Sequence, residues 1–275
     1  MGAVTEARTA AHAVEDAEWF RVLARSGYVA NGVVHLILGV LTLAVAVGSD
    51  GASDQTMVFR AIAAAPLGFA ALWALTVGFS ALGLWQLVQS VLMRRRGDEM
   101  RAAVWGRRLG AWGQALVFLA LGLIAAAVAL GARPDAEATA EDLSSVLLEI
   151  WGGAVVLGLT GLGVAIGGVS FLVMGVRRSF ENRMTLPDGR LGTTIRVLGI
   201  VGFVAKGVAL TIVGILLLIA TVSADADVAG GLDGAVQALF RLTLGPYLVA
   251  AVAAGLVCYG VFTVFRARYA RLTWR

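Results

Sequence analysis

Cysteine, histidine, lysine and proline are all scarce in this 275-residue chain, and each shortage removes a class of function. Cys258 stands alone, so neither a disulfide nor a thiolate cluster can be built. It falls in an apolar run and reads as a small apolar residue. Of the two histidines, His12 sits in the polar N-terminal tail and His35 in an apolar run, so a bis-histidine haem within a membrane is excluded. No carboxylates pair at one depth, and no nucleophile–base spacing appears, so general acid–base and covalent chemistry lack visible agents. No phosphate-binding glycine motif precedes a helix in a suitable context. The expectation is a protein that is not an enzyme, with no catalytic residue, cofactor or metal. Charge is thin as well, at 15% of residues, where soluble domains carry about 25%. A secretory signal is also missing. Residues 1–20 hold Glu6, Glu15, Asp16 and Glu18 and lack a basic region followed by an apolar core. Within the polar tail, Ala11 to Ala24 reads as a short interfacial helix, with Trp19 and Phe20 near the membrane.

What the chain has in excess is apolar length. The hydrophobic share is 59% and the mean hydropathy +0.85. Six stretches carry almost no charge: 27–48, 67–93, 109–131, 151–176, 197–222 and 245–265. A hydrocarbon core about 30 Å thick needs about 20 helical residues, so each stretch is long enough to span it. The runs are rich in Ala, Leu, Val and Gly without alternation, which fits helices and excludes a barrel. Too little remains outside them for a soluble domain of ordinary size.

Arginine counts in the connections predict sidedness. The 94–108 connection holds Arg94, Arg95, Arg96, Arg101, Arg107 and Arg108, and the 177–196 connection holds Arg177, Arg178, Arg183, Arg190 and Arg196. The C-terminal tail adds Arg266, Arg268, Arg271 and Arg275. The alternate connections hold one arginine each, Arg60, Arg133 and Arg241, among several carboxylates. Both termini are therefore expected on the cytoplasmic side of a cell membrane. The high pI follows from the same rule, and nucleic-acid binding need not be invoked. The basic connections are suited to anionic lipid of the bilayer.

The spans repeat. The first begins GYVANGVVHLILG at Gly27, and the fifth begins GFVAKGVALTIVG at Gly202, without a gap. The third begins GAWGQALVFLALG at Gly110. Even spans share two glycines five apart: Gly78 to Gly83, Gly163 to Gly168 and Gly255 to Gly260. Before each even span lies an amphipathic stretch, MVFRAIAAA, DLSSVLLEI or VQALFRLTL, expected as a short helix on the outer surface. The predicted fold is all-α and integral to the membrane. Six transmembrane helices form three parallel two-helix repeats about a pseudo-threefold axis. After a tail at 1–20, the repeats are expected over 21–96, 97–180 and 181–275. Gly27, Gly39, Gly110, Gly122, Gly202 and Gly214 are the expected helix-packing residues, because lipid offers no hydrophobic drive and close backbone approach must replace it.

On these repeated starts the chain resembles the membrane family catalogued as domain of unknown function 1206, found largely in actinobacteria. The resemblance covers residues 20–270 and implies the three-repeat fold and a membrane location, with no activity, cofactor or catalytic residue to carry over. The near-absence of lysine, Lys206 alone among 22 basic residues, fits a high-GC genome.

The polar fifth place of the odd spans is Asn31, Gln114 and Lys206, with His35 one turn deeper than Asn31. Inward-facing, these would form a polar ring about the axis. Lys206 is the charge clearly inside a span, and such residues point to function. Against that stands snorkelling of its ammonium to the headgroups. Asn31 and Gln114 are equally readable as interhelical hydrogen-bonding residues, and His35 as a buried histidine bonded to a carbonyl. Gln86 reads as a lateral packing residue.

Three functions are open. The first is a structural or accessory component that packs against another membrane protein or its own copy. The alternative is a small-solute or ion transporter or channel along the axis. Mitochondrial carriers share the six-span, three-repeat plan, but their proline-kinked odd helices have no counterpart here. A lipid-modifying enzyme stands last. Dry contact among the odd-span glycines would favour the first, and a cavity lined by Asn31, Gln114 and Lys206 the second.

Overall fold

The computed structural model describes residues 18–48, 55–92, 101–134, 136–229 and 231–270. Among the described residues the chain forms nine α-helices. Six are long and apolar enough to cross a membrane. They are α1 (Glu18–Ala46), α3 (Gly68–Leu92), α4 (Arg101–Ala129), α6 (Gly153–Val176), α7 (Arg190–Ser223) and α9 (Gly245–Tyr269). The three expected surface helices are α2 (Gln55–Ala64), α5 (Ala136–Glu149) and α8 (Gly231–Phe240), one before each even span. The interfacial helix expected over 11–24 lies partly outside the described residues. From Glu18 onward it is the first turns of α1 itself, so no break separates it from the span.

Each odd span ends in a left-handed residue: Gly48 (φ 96°), Gly131 (φ 94°) and Ala224 (φ 52°). Glycine takes this conformation freely, and alanine does so at a cost of about 1–2 kcal/mol. Each short outer helix then turns sharply into its even span. A Cβ on Gly68, Gly153 or Gly245 would collide with the carbonyl oxygen of Ile62, Leu147 or Phe240. This second set of repeated glycines shapes the corner and had not stood out in the span patterns.

The spans follow one another around an open ring in the order α4, α3, α1, α9, α7, α6. Two kinds of seam hold it. Between repeats, Gly32 seats on Gly260 and Val264, Gly83 on Ala115 and Leu119, and Gly168 on Gly207 and Thr211. These are equivalent positions, and all three seams of this kind are closed. Within repeats, Gly27 meets Gly78, and Gly202 meets Tyr259 on the helix that also carries Gly255. The matching pair of the second repeat does not meet. Among the described residues α4 and α6 do not pack along one another, and Gly110, Gly113, Gly163 and Gly167 have nothing within 4 Å of where a Cβ would stand.

Two expectations change accordingly. The odd-span glycines do not close on each other; Gly27, Gly39, Gly122, Gly202 and Gly214 seat against even spans. Among the described residues Gly110 packs against nothing, because the helix it would meet stands away.

At Gly39 an added Cβ would stand 2.8 Å from the backbone nitrogen of Val257 and 2.9 Å from the carbonyl of Ala253. Gly39→Ala should therefore push α1 off α9 and cost about 1–3 kcal/mol, read as a lower melting temperature in detergent. Gly106→Ala, with open space around it, should leave the melting temperature unchanged or higher, since glycine within a helix costs roughly 0.5–1 kcal/mol relative to alanine. Equal behaviour of the two variants would contradict the packing.

Candidate functional site

Lys206 sits at the middle of the 34-residue α7. Glycines on either side of it set its place. Gly202, one turn earlier, seats α7 on Tyr259 of α9, and Gly207 seats it on Leu172 of α6. The side chain between them emerges into the bundle, half-buried. Its Nζ lies 3.0 Å from Nε2 of His35 on α1. It also stands 4.3 Å from the ring centre of Tyr259 and 5.3 Å from that of Phe171 on α6. Four helices thus converge on one amine. The side chain does not run along α7 to the headgroups.

The route toward the arginine-rich end is filled. Phe203 stacks on Phe171 at 5.6 Å and on Phe180 at 5.2 Å, and meets Tyr259 and Phe262 edge-on at 5.4 and 5.5 Å. Phe180 belongs to a short 3₁₀ turn, Ser179–Arg183, that folds back under the bundle. Thr185 donates its N–H to the carbonyl of Tyr269 at 2.9 Å, and Arg196 pairs with Glu181 at 2.9 Å, which pins this connection to the ends of α9 and α7. The opposite side of the site is apolar, with Val34, Leu38, Ala209, Val252 and Leu256 buried.

His35 is buried and has a defined tautomer. Its Nδ1 is 2.8 Å from the backbone carbonyl of Asn31, which can only accept, so Nδ1 carries the hydrogen. In the neutral ring Nε2 is then an acceptor, and it faces the amine of Lys206. The ring also tilts against Tyr259 at 4.8 Å. Asn31 is buried too, and its Oδ1 has no hydrogen-bond partner. Buried polar atoms are rarely left so.

Gln114 is placed elsewhere. It is exposed and accepts a hydrogen bond from Nε2 of Gln86 on α3. Nearby, Nε1 of Trp112 donates to Oγ of Ser90 at 2.9 Å. The expected ring of three polar residues is therefore a cluster of Asn31, His35 and Lys206, with Gln114 apart. The open seam beside α4 accounts for this, since the second repeat's share of the ring interior is not enclosed. Tyr259 and Phe171 belong to the site and were not singled out from the sequence. Tyr259 had a readable signal: it stands where the equivalent even spans have Leu82 and Gly167. Among the described residues no three metal-binding side chains converge anywhere.

The family described as Domain of Unknown Function (DUF1206) matches three successive segments, 26–92, 109–178 and 201–270. The chain belongs to this family. Each match covers one span–outer helix–span unit, so the family's repeat and the structural repeat coincide. The chain is also 25% identical, over 262 residues and 94% of both chains, to the Bacillus subtilis (strain 168) protein named "Uncharacterized protein YxxB". No solved structure matches. A DUF1206 chain of this plan is a multi-pass membrane protein whose spans contact the bilayer.

The hydrogen-bond pattern predicts that ¹⁵N spectra of His35 at neutral pH show the Nδ1–H tautomer. Acidification that protonates Nε2 would set two donors face to face and separate the pair. An Nε2–H tautomer or an imidazolium at neutral pH would contradict the geometry.

Proposed function

We propose that this protein is a transporter of small anionic solutes in the cell membrane, with its arginine-rich end and both termini in the cytoplasm. The observation that carries the reading is Lys206. Its amine is held at mid-helix inside the ring by a neutral imidazole and two aromatic faces. Cation–π contacts are worth about 0.5–2 kcal/mol each, a modest return for a half-buried amine at the middle of a span. A carboxylate would complete the site, and the groups the structure sets against the amine are an imidazole and two aromatic rings. A substrate anion supplies what the protein leaves out. Asn31, one turn from His35 on α1, holds a buried Oδ1 without a hydrogen-bond partner, an acceptor left open beside this cluster.

Neither discriminating arrangement occurs in its expected form: the odd-span glycines seat on even spans, and Gln114 lies apart from Asn31 and Lys206. The convergence of four helices on Lys206 is what favours transport over the accessory role. No catalytic step is part of the proposal.

Purified protein in liposomes, challenged with chloride, acetate, lactate and inorganic phosphate gradients at acidic and neutral pH, tests it. At least one anion should give a current or flux that Lys206→Met lowers by about tenfold or more, the loss expected from one contact worth about 1.4 kcal/mol. Flux unchanged in Lys206→Met, or absent for every anion in well-folded protein, would return the accessory and partner-binding role to first place.

A further inference from the structure

Internal symmetry makes a statement about the seam between α4 and α6 that neither helix makes alone. In the first repeat, Ala30 of α1 lies against Gly78 of α3, with a Cβ on Gly78 standing 3.0 Å from that of Ala30. In the third repeat, the equivalent Ala205 of α7 lies against Gly255 of α9. The second repeat has Gly113 and Gly163 at these places, small residues on both sides, and among the described residues neither has anything within 4 Å of where a Cβ would stand. Gly110 matches Gly27 and Gly202, which are both in close contact, and it is equally bare. The second repeat thus carries surfaces shaped for the contact its sister repeats make, and in this structure it does not make it. The joining helix α5 has the same place between spans as α2 and α8, so the connection does not forbid closure.

We propose that α4 and α6 close on each other through Gly110 and Gly113 against Gly163 and Gly167. On this reading the structure holds the open state of a lateral gate in the bundle wall. Opening exposes the ring interior toward the bilayer at the level of Gln114, which matches Lys206 in the repeat alignment. The aromatic cluster around Phe203 packs toward the arginine-rich end and apolar side chains pack toward the other, so on this proposal the seam is the approach to Lys206. The occupant of the glycine faces is this chain's own neighbouring helix, because two equivalent pairs already show that fit. The closure stands on symmetry and packing alone; only its role as a gate rests on the transport reading.

Cysteine pairs test it in a Cys258→Ser background, which removes the chain's native thiol. Ala30→Cys with Gly78→Cys is the control at a closed seam. Gly113→Cys with Gly163→Cys is the same geometry at the open one. Disulfides need Cβ atoms about 3.8 Å apart, so cross-linking of the second pair within one chain, to an extent similar to the control, reports closure. No cross-link beside a cross-linked control overturns the proposal. A disulfide-linked dimer overturns it as well, making these faces a contact between copies. A second measurement leaves the glycines untouched: spin labels at Leu123 of α4 and Val155 of α6, both exposed, should give two distances, and a single distance would sink the two-state idea. In proteoliposomes, oxidation of the Gly113/Gly163 cysteine pair should lower the flux about tenfold, with recovery on reduction. Full flux through locked protein would dismiss the gate and leave the closure standing.

Discussion

In lipid, apolar side chains gain little by leaving their surroundings, so helices must be held by contact itself. This bundle meets that constraint through glycine. Gly32 on Gly260, Gly83 on Ala115 and Gly168 on Gly207 bring backbones together at equivalent points of three seams. Once those seams are set, the rest of the arrangement follows. The ring acquires an interior face, that face receives the fifth residue of the first and fifth spans, and Lys206 is delivered to it between two glycine contacts. A side chain large enough to separate α7 from α9 or α6 would move the amine as well as loosen the bundle.

The site is a compromise between burial and charge. Long basic side chains in membranes usually find water by reaching toward an interface. Here the space they would use is taken by Phe203, Phe180 and Phe262, and the amine is offered an imidazole nitrogen and aromatic faces instead. The first and third repeats have diverged to build this environment. His35 stands where the others have Phe118 and Leu210, and Tyr259 where they have Leu82 and Gly167. The second repeat contributes Phe171 from α6 but keeps Gln114 outside. The exchange of side chains between repeats is thus marked at this site, where the chemistry lies, while the second repeat departs in its packing at the α4–α6 seam.

Much of this was legible in the chain as written. The six spans, the outer helix in each unit, the three-repeat plan and the use of small residues for packing all follow from hydropathy, spacing and self-similarity, because the bilayer allows few ways to satisfy a backbone. Asn31, His35 and Lys206 could be picked out because polar residues in apolar runs are conspicuous. Gln114 was equally conspicuous and belongs elsewhere. Repeat position gives depth and facing direction, but not whether the neighbouring helices enclose that face.

Sequence alone determined the number of spans, their repeat and which residues stand at one depth, since these depend on local composition and period. Tertiary structure decided which helices touch. It placed Lys206 against His35 and Tyr259 from distant parts of the chain, and it left α4 and α6 apart although their glycines match those of the closed pairs. The physical reason is that glycine permits close approach without enforcing it. A contact between two such faces depends on the balance of forces around the whole ring, and no single segment carries that information.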